Sequence, residues 1–121
     1  MPLEDIWDEI KQAKVGGYLL SMANPRHAHE YHLFENNFLP DDIVLVPGVI
    51  DTTSNYVEHP QVVADRLVQI ANTIGDPTRI IAGTDCGFET SAGMVAVAPD
   101  IVWAKLKAMT EGAALASERL F

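Results

Sequence analysis

The stretch Arg79-Ile80-Ile81-Ala82-Gly83-Thr84-Asp85-Cys86-Gly87-Phe88 decides how this chain is read. A short apolar run passes into small and polar residues, the pattern of a parallel strand handing over to a loop, and it predicts a strand over Arg79–Ala82. In α/β proteins ligands and chemistry collect at the carboxyl ends of strands. Cys86, the sole cysteine, falls just beyond such an end. Two readings stand for it. The thiol could bind a soft metal or act as a nucleophile, or it could be a small core group, since free cysteine is among the most buried residue types.

Two more apolar runs precede this one. Tyr18–Met22 reads as a strand broken by Asn24-Pro25, with a helix or helical turn over Arg26–Phe34. After the turn Leu39-Pro40-Asp41-Asp42, Ile43–Val46 reads as a β-branched strand ending at Pro47-Gly48 and continuing as Val49-Ile50-Asp51. A polar loop spans Thr52–His59. Pro60 then suits the first turn of a helix over Gln61–Ile74, whose stripe is Val62, Val63, Leu67, Ile70 and Ile74 and which Gly75-Asp76-Pro77 closes. At the amino end Leu3, Ile6, Trp7 and Ile10 have helical spacing within Leu3–Lys14, stopped by Gly16-Gly17. A loop rich in Gly and Ala covers Phe88–Pro99. A last helix over Asp100–Leu120 carries Ile101, Trp103, Leu106, Met109 and Leu115.

The order is therefore one helix followed by three strand–helix units in a single domain, residues 1–121. Each strand is a nearly continuous apolar run, the mark of a parallel sheet covered by helices. Three parallel strands leave both edges open for pairing. The expected sheet is thus incomplete: a fragment, a subunit, or a protomer that borrows strands.

Bulk composition narrows the function classes. The 121 residues, 48% hydrophobic, suffice for one small domain with a core. Eight Lys and Arg against 17 Asp and Glu give a formal charge of −9, which disfavours nucleic acid and anionic membranes as partners. A lone cysteine forms no internal disulfide, so a reducing, cytoplasmic setting is expected. No run approaches a membrane span, and Met1-Pro2-Leu3-Glu4-Asp5 lacks the features of a signal peptide.

Several motifs go beyond pattern. Ala23-Asn24-Pro25-Arg26-His27-Ala28-His29-Glu30, then Val46-Pro47-Gly48-Val49-Ile50-Asp51 with Val57-Glu58-His59-Pro60, then Gly83-Thr84-Asp85-Cys86-Gly87-Phe88, follow successive strands. Over essentially the whole chain this resembles the C-terminal, zinc-binding domain of cobalamin-independent methionine synthase. Within that superfamily it looks closest to the epoxyalkane:coenzyme M transferases and related thiol alkyltransferases. The resemblance implies an α/β fold, a partial (β/α)8 TIM barrel formed by the last three βα units, with strands six to eight near Tyr18, Ile43 and Arg79. It implies completion by another chain or by self-association.

The family holds zinc through a His-x-Cys pair, through the cysteine of the Asp-Cys-Gly turn and, in methionine synthases, through a glutamate after the sixth strand. Only the turn cysteine maps here, onto Cys86; no His-x-Cys pair is present, and Ser21-Met22-Ala23 stands where the glutamate would fall. The implied activity is zinc-dependent methyl or alkyl transfer to a small thiol such as homocysteine, in methionine biosynthesis. Zinc would keep the substrate sulfur as a reactive thiolate, with Cys86 a ligand and not the attacking group.

The remaining candidates carry two readings each. Asp85 could orient a substrate amine or a ligand, or be a turn-forming aspartate. Asp51 could hold substrate or act as a general acid, or cap a loop. Arg26, His27 and His29 could bind an anionic substrate group, whereas Arg26 could instead pair with Glu30 or Glu58. His27, His29 and His32 suggest a metal cluster, but on a helix residues two or five apart do not share a tight face. Glu58-His59-Pro60 could be only a helix start. Gly83 and Gly87 are expected to serve turn geometry and close backbone approach. Two further classes stand beside the enzyme: a catalytically inactive truncated domain, and a small-molecule binding module.

Overall fold

The computed structural model describes residues 1–89 and 92–121. A 3-10 turn at Leu3–Ile6 runs into one helical turn, α1 (Trp7–Ile10), followed by β1 (Gly17–Leu20). A second 3-10 turn, Glu30–His32, leads into α2 (Leu33–Asn36). Then come β2 (Val44–Ile50), α3 (Pro60–Ile74), a 3-10 turn at Pro77–Arg79, β3 (Gly83–Thr84) and α4 (Pro99–Leu120). The sheet is parallel in the order β1-β2-β3. The chain is thus an α/β structure of the partial (β/α) barrel kind, a three-stranded parallel sheet flanked by helices.

Several boundaries differ from those the sequence predicts. The amino-terminal helix stops at Ile10, and β1 takes Gly17 and ends at Leu20, short of Met22. The segment Arg26–Phe34 is a series of turns ending in α2. β2 does not end at Pro47-Gly48 but runs through both to Ile50, with Pro47 opposite Leu20 and Gly48 opposite Gly83. β3 lies further along than Arg79–Ala82. Pro77–Arg79 is drawn into a 3-10 turn because the Asp76 carboxylate accepts from the Thr78 amide (3.0 Å) and hydroxyl (2.6 Å). Ile80 forms only an isolated bridge with Leu45, and the Arg79 guanidinium binds the carbonyls of Ile43 (2.8 Å) and Pro40. The predicted loop over Phe88–Pro99 contains Thr90 and Ser91, which lie outside the described residues.

The helices pack on the face that carries Tyr18 and Leu45. Trp7 sets its ring edge-on to Tyr18 and Phe34, and Leu3, Met22, Leu39, Ile43, Leu45 and Ile70 complete that cluster. A second cluster joins Val49 and Ile50 of β2 to Val63, Ala64 and Leu67 of α3 and Ala116 of α4. Side chains alternate along strands, so Leu19, Val46 and Ile81 point to the opposite face, where Leu19 is 62% and Ile81 56% exposed. In a closed barrel that face lines the interior.

α3 begins as its sequence requires: the His59 ring nitrogen accepts the Gln61 amide at 3.1 Å, and Pro60 occupies the first turn. It ends at Gly75 in the left-handed conformation, φ 85°. The buried residues are Val63, Ala64, Leu67, Ile70 and Ala71, while Val62 turns outward. α4 departs further from expectation. Its buried line is Lys105, Ala108, Gly112 and Ala116, and Trp103 is 73% exposed. Small residues let α4 approach α3 so closely that a Cβ on Gly112 would stand 2.4 Å from Val63 Cβ. Among the described residues no helix is long and apolar enough to cross a membrane.

Candidate functional site

The carboxyl ends of the three strands deliver Ser21–Asn24, Asp51-Thr52 and Asp85-Cys86 to one rim. Cys86 is exposed there, so the core-cysteine reading does not hold. Its sulfur lies 3.1 Å from the hydroxyl of Thr52, a residue wholly shielded from solvent. Through this contact Thr52, one residue beyond Asp51, ties the exits of β2 and β3 together. The Thr84 hydroxyl donates to the Cys86 carbonyl at 3.1 Å and fixes the turn.

Asp85 is buried, and its carboxylate is fully engaged. Oδ1 accepts the amides of Met22 (2.9 Å) and Ala23 (2.8 Å); Oδ2 accepts the Asn24 amide (2.8 Å) and its side-chain Nδ2 (2.7 Å). The Ser21 hydroxyl donates to the Asp85 carbonyl at 2.6 Å. These bonds do not close a local turn, as a turn aspartate would, but reach the loop after β1.

Asp51 is half-buried, with Oδ1 accepting the Thr53 amide (2.9 Å) and hydroxyl (2.7 Å). Burial pushes its carboxyl up, but those two bonds and the positive charges of Lys105 and Arg66 prevail and hold it below its ordinary value. Its backbone is gripped at both ends. The amide donates to Glu58 Oε2 (2.7 Å), the carbonyl accepts from Lys105 Nζ (3.0 Å), and Lys105 pairs with Glu58 Oε1 (2.7 Å) while also donating to the Tyr56 carbonyl. The sequence motifs do not single out Lys105; the signal for it is the helical spacing that puts it in line with the small residues Ala108, Gly112 and Ala116 that α4 buries.

The loop after β1 bears the remaining candidates. Arg26 and His29 are exposed, and His27 is half-buried. The ion pairs considered for Arg26 do not form: Glu30 accepts from the Leu3 amide (3.1 Å) and meets His27 Nδ1 at 3.0 Å, and Glu58 is held by Lys105. His32 meets Glu35 at 2.6 Å. The three histidines therefore do not converge, and among the described residues no three His, Cys, Asp or Glu side chains could hold a metal ion together. Zinc asks for four ligands, so the donors of this chain alone, Cys86 foremost, do not fit it. A Cβ on Gly83 would lie 2.7 Å from Val46 Cγ1, a close approach, whereas one on Gly87 would make only ordinary contact, 3.8 Å from the Glu89 carbonyl oxygen.

No family profile and no curated protein matches the sequence. Among solved structures the chain is similar to a B12-independent methionine synthase from Shewanella sp. W3-18-1, determined in complex with selenomethionine, with a TM-score of 0.78 and 20% identity. The match covers 97% of this chain and 31% of that one, so the chain spans about a third of the length of the enzyme it matches. At that identity the likeness establishes a shared fold: this chain has the architecture of part of a methionine synthase.

Proposed function

We propose that the chain forms part of a transferase that moves a methyl or alkyl group to a small thiol, homocysteine-like in class. One observation carries the reading: Cys86 is an exposed residue at the outgoing rim of a sheet whose fold matches part of a methionine synthase. A soft, exposed donor there is suited to coordinate zinc as one ligand among several, the others coming from further βα units. The absence of a glutamate at Ser21-Met22-Ala23 favours the thiol-alkyltransferase branch over methionine synthase itself.

Within this reading the carboxylates divide the work. Asp51 stays ionised at neutral pH and among the described residues Oδ2 has no partner, so it suits holding a cationic substrate group better than donating a proton. Asp85 has no acceptor capacity to spare. Arg26 and His29 are exposed and available to an anionic group, whereas His27 already faces the Glu30 carboxylate. Among the described residues the outer edges of β1 and β3 are unpaired and Leu19 and Ile81 are exposed, which calls for further strands; we assign these to a complementary barrel subunit or a second copy, in a cytoplasmic setting.

The lack of a three-ligand cluster among the described residues favours a second reading, a catalytically inactive barrel piece or a small-molecule binding module. The deciding experiment assembles the chain with a polypeptide that carries further βα units and a His-x-Cys pair. Zinc near one per chain and methylation of a thiol, both abolished by Cys86→Ser, support the transferase. Full zinc occupancy and activity in that variant contradict it.

A further inference from the structure

We propose that Asp85 is a positioning residue that locks the loop after β1 beside Cys86, joining two strand ends that the sheet leaves unconnected. The purpose given to that rim rests on the transferase reading; the lock itself rests on geometry. Among the described residues β1 and β3 each pair only with β2, so no ladder bond there holds their ends together. Residue 85 supplies the link: its carboxylate gathers three consecutive amides and the Asn24 side chain, and its carbonyl takes the Ser21 hydroxyl.

A carboxylate offers about four acceptor sites, and four donors fill them. Only 4% exposed, the group would be costly to bury without that complement. The path from β3 to the loop crosses β2 at Gly48, where no side chain stands in the way. Cys86 follows Asp85 directly, so the same carboxylate that orders Met22–Asn24 sets the distance from that loop, with Arg26 and His27 beyond it, to the sulfur. Without Asp85, the loop amides lose their acceptor and the rim opens between β1 and β3.

Cys86 is the sole cysteine and takes a nitroxide label in the full chain with no other change. In labelled wild-type protein the amide resonances of Met22, Ala23 and Asn24 should be strongly broadened by the nearby radical. In labelled Asp85→Asn, which sets an NH2 donor against those amides, they should regain intensity by about twofold or more while α3 amides keep their shifts. Equal broadening in both proteins overturns the proposal. Should Asp85→Asn not fold, hydrogen exchange in the unlabelled wild type decides. Met22 and Ala23 amides as protected as those of β2 support the lock, and exchange at the rate of an open loop refutes it. Failure to detect methyl transfer would count against the transferase alone and leave this result untouched.

Discussion

The Asp85 carboxylate lies across the backbone of Gly48, so close that a Cβ built on the glycine would stand 2.0 Å from Oδ1 and 2.8 Å from the Asp85 Cα. Two residues 37 positions apart thus share one requirement: the aspartate can reach Met22–Asn24 only because position 48 has no side chain. The φ of Gly48 is not in the left-handed region, so space and not backbone freedom is what the glycine provides.

Gly48→Ala should therefore displace Asp85 and break its bonds to the loop. Overpacking together with lost charge-assisted hydrogen bonds should cost about 3 kcal/mol or more. Urea denaturation measures it; a loss below about 1 kcal/mol would show that the carboxylate has room to move.

Lys105 and Glu58 form a buried pair, 0% and 10% exposed at their side chains. Lys105→Met leaves Glu58 desolvated without its partner and should cost about 3–5 kcal/mol. Adding Glu58→Gln should return a substantial part of that loss, and a double-mutant cycle read by denaturation checks the coupling. Strictly additive effects would mean that the pair is not an energetic unit.

Asp51 makes stability depend on pH in a defined direction. Its carboxyl titrates lower in the folded protein than the ordinary 3.8. The stabilisation is thus fully present above about pH 4 and is lost as the pH falls through the folded-state value. Wild type should be more stable than Asp51→Asn near neutrality, and the gap should close on acidification. Thermal melts of both proteins across the acid range test this, and a gap that widens at low pH contradicts it.

Gly112→Ala should separate α4 from α3, because the new methyl would meet Val63 Cβ at 2.4 Å and the Pro60 carbonyl at 2.8 Å. A loss of about 1–3 kcal/mol in a thermal or urea melt is expected. An unchanged stability would show that the two helices slide apart at no cost.

The sequence made the architecture legible because apolar runs and punctuating Gly and Pro residues report local structure directly. Pro60 and Gly75 bound α3 as read, and the three strands occur in the expected order. Positions that depend on distant partners were not legible. Pro47-Gly48 looks like a strand end in isolation, yet the ladder continues through it because Gly48 faces Gly83 and Asp85. The large residues of α4 suggested its buried face, but close packing against α3 selects Ala108, Gly112 and Ala116 and leaves Trp103 outside. At the rim, the position of Cys86 after a strand was readable. The engagement of Asp85 with residues more than 60 positions away, and the grip of Lys105 on Asp51, arise only on folding.

A role for the rim in chemistry requires Cys86 to be accessible there while the fold is intact. Its rate of alkylation by iodoacetamide in the native protein, set against the rate in the fully denatured chain, tests this directly. The predicted result is a native rate within about tenfold of the denatured one. A sulfur that reacts only as fast as the protein unfolds would contradict it.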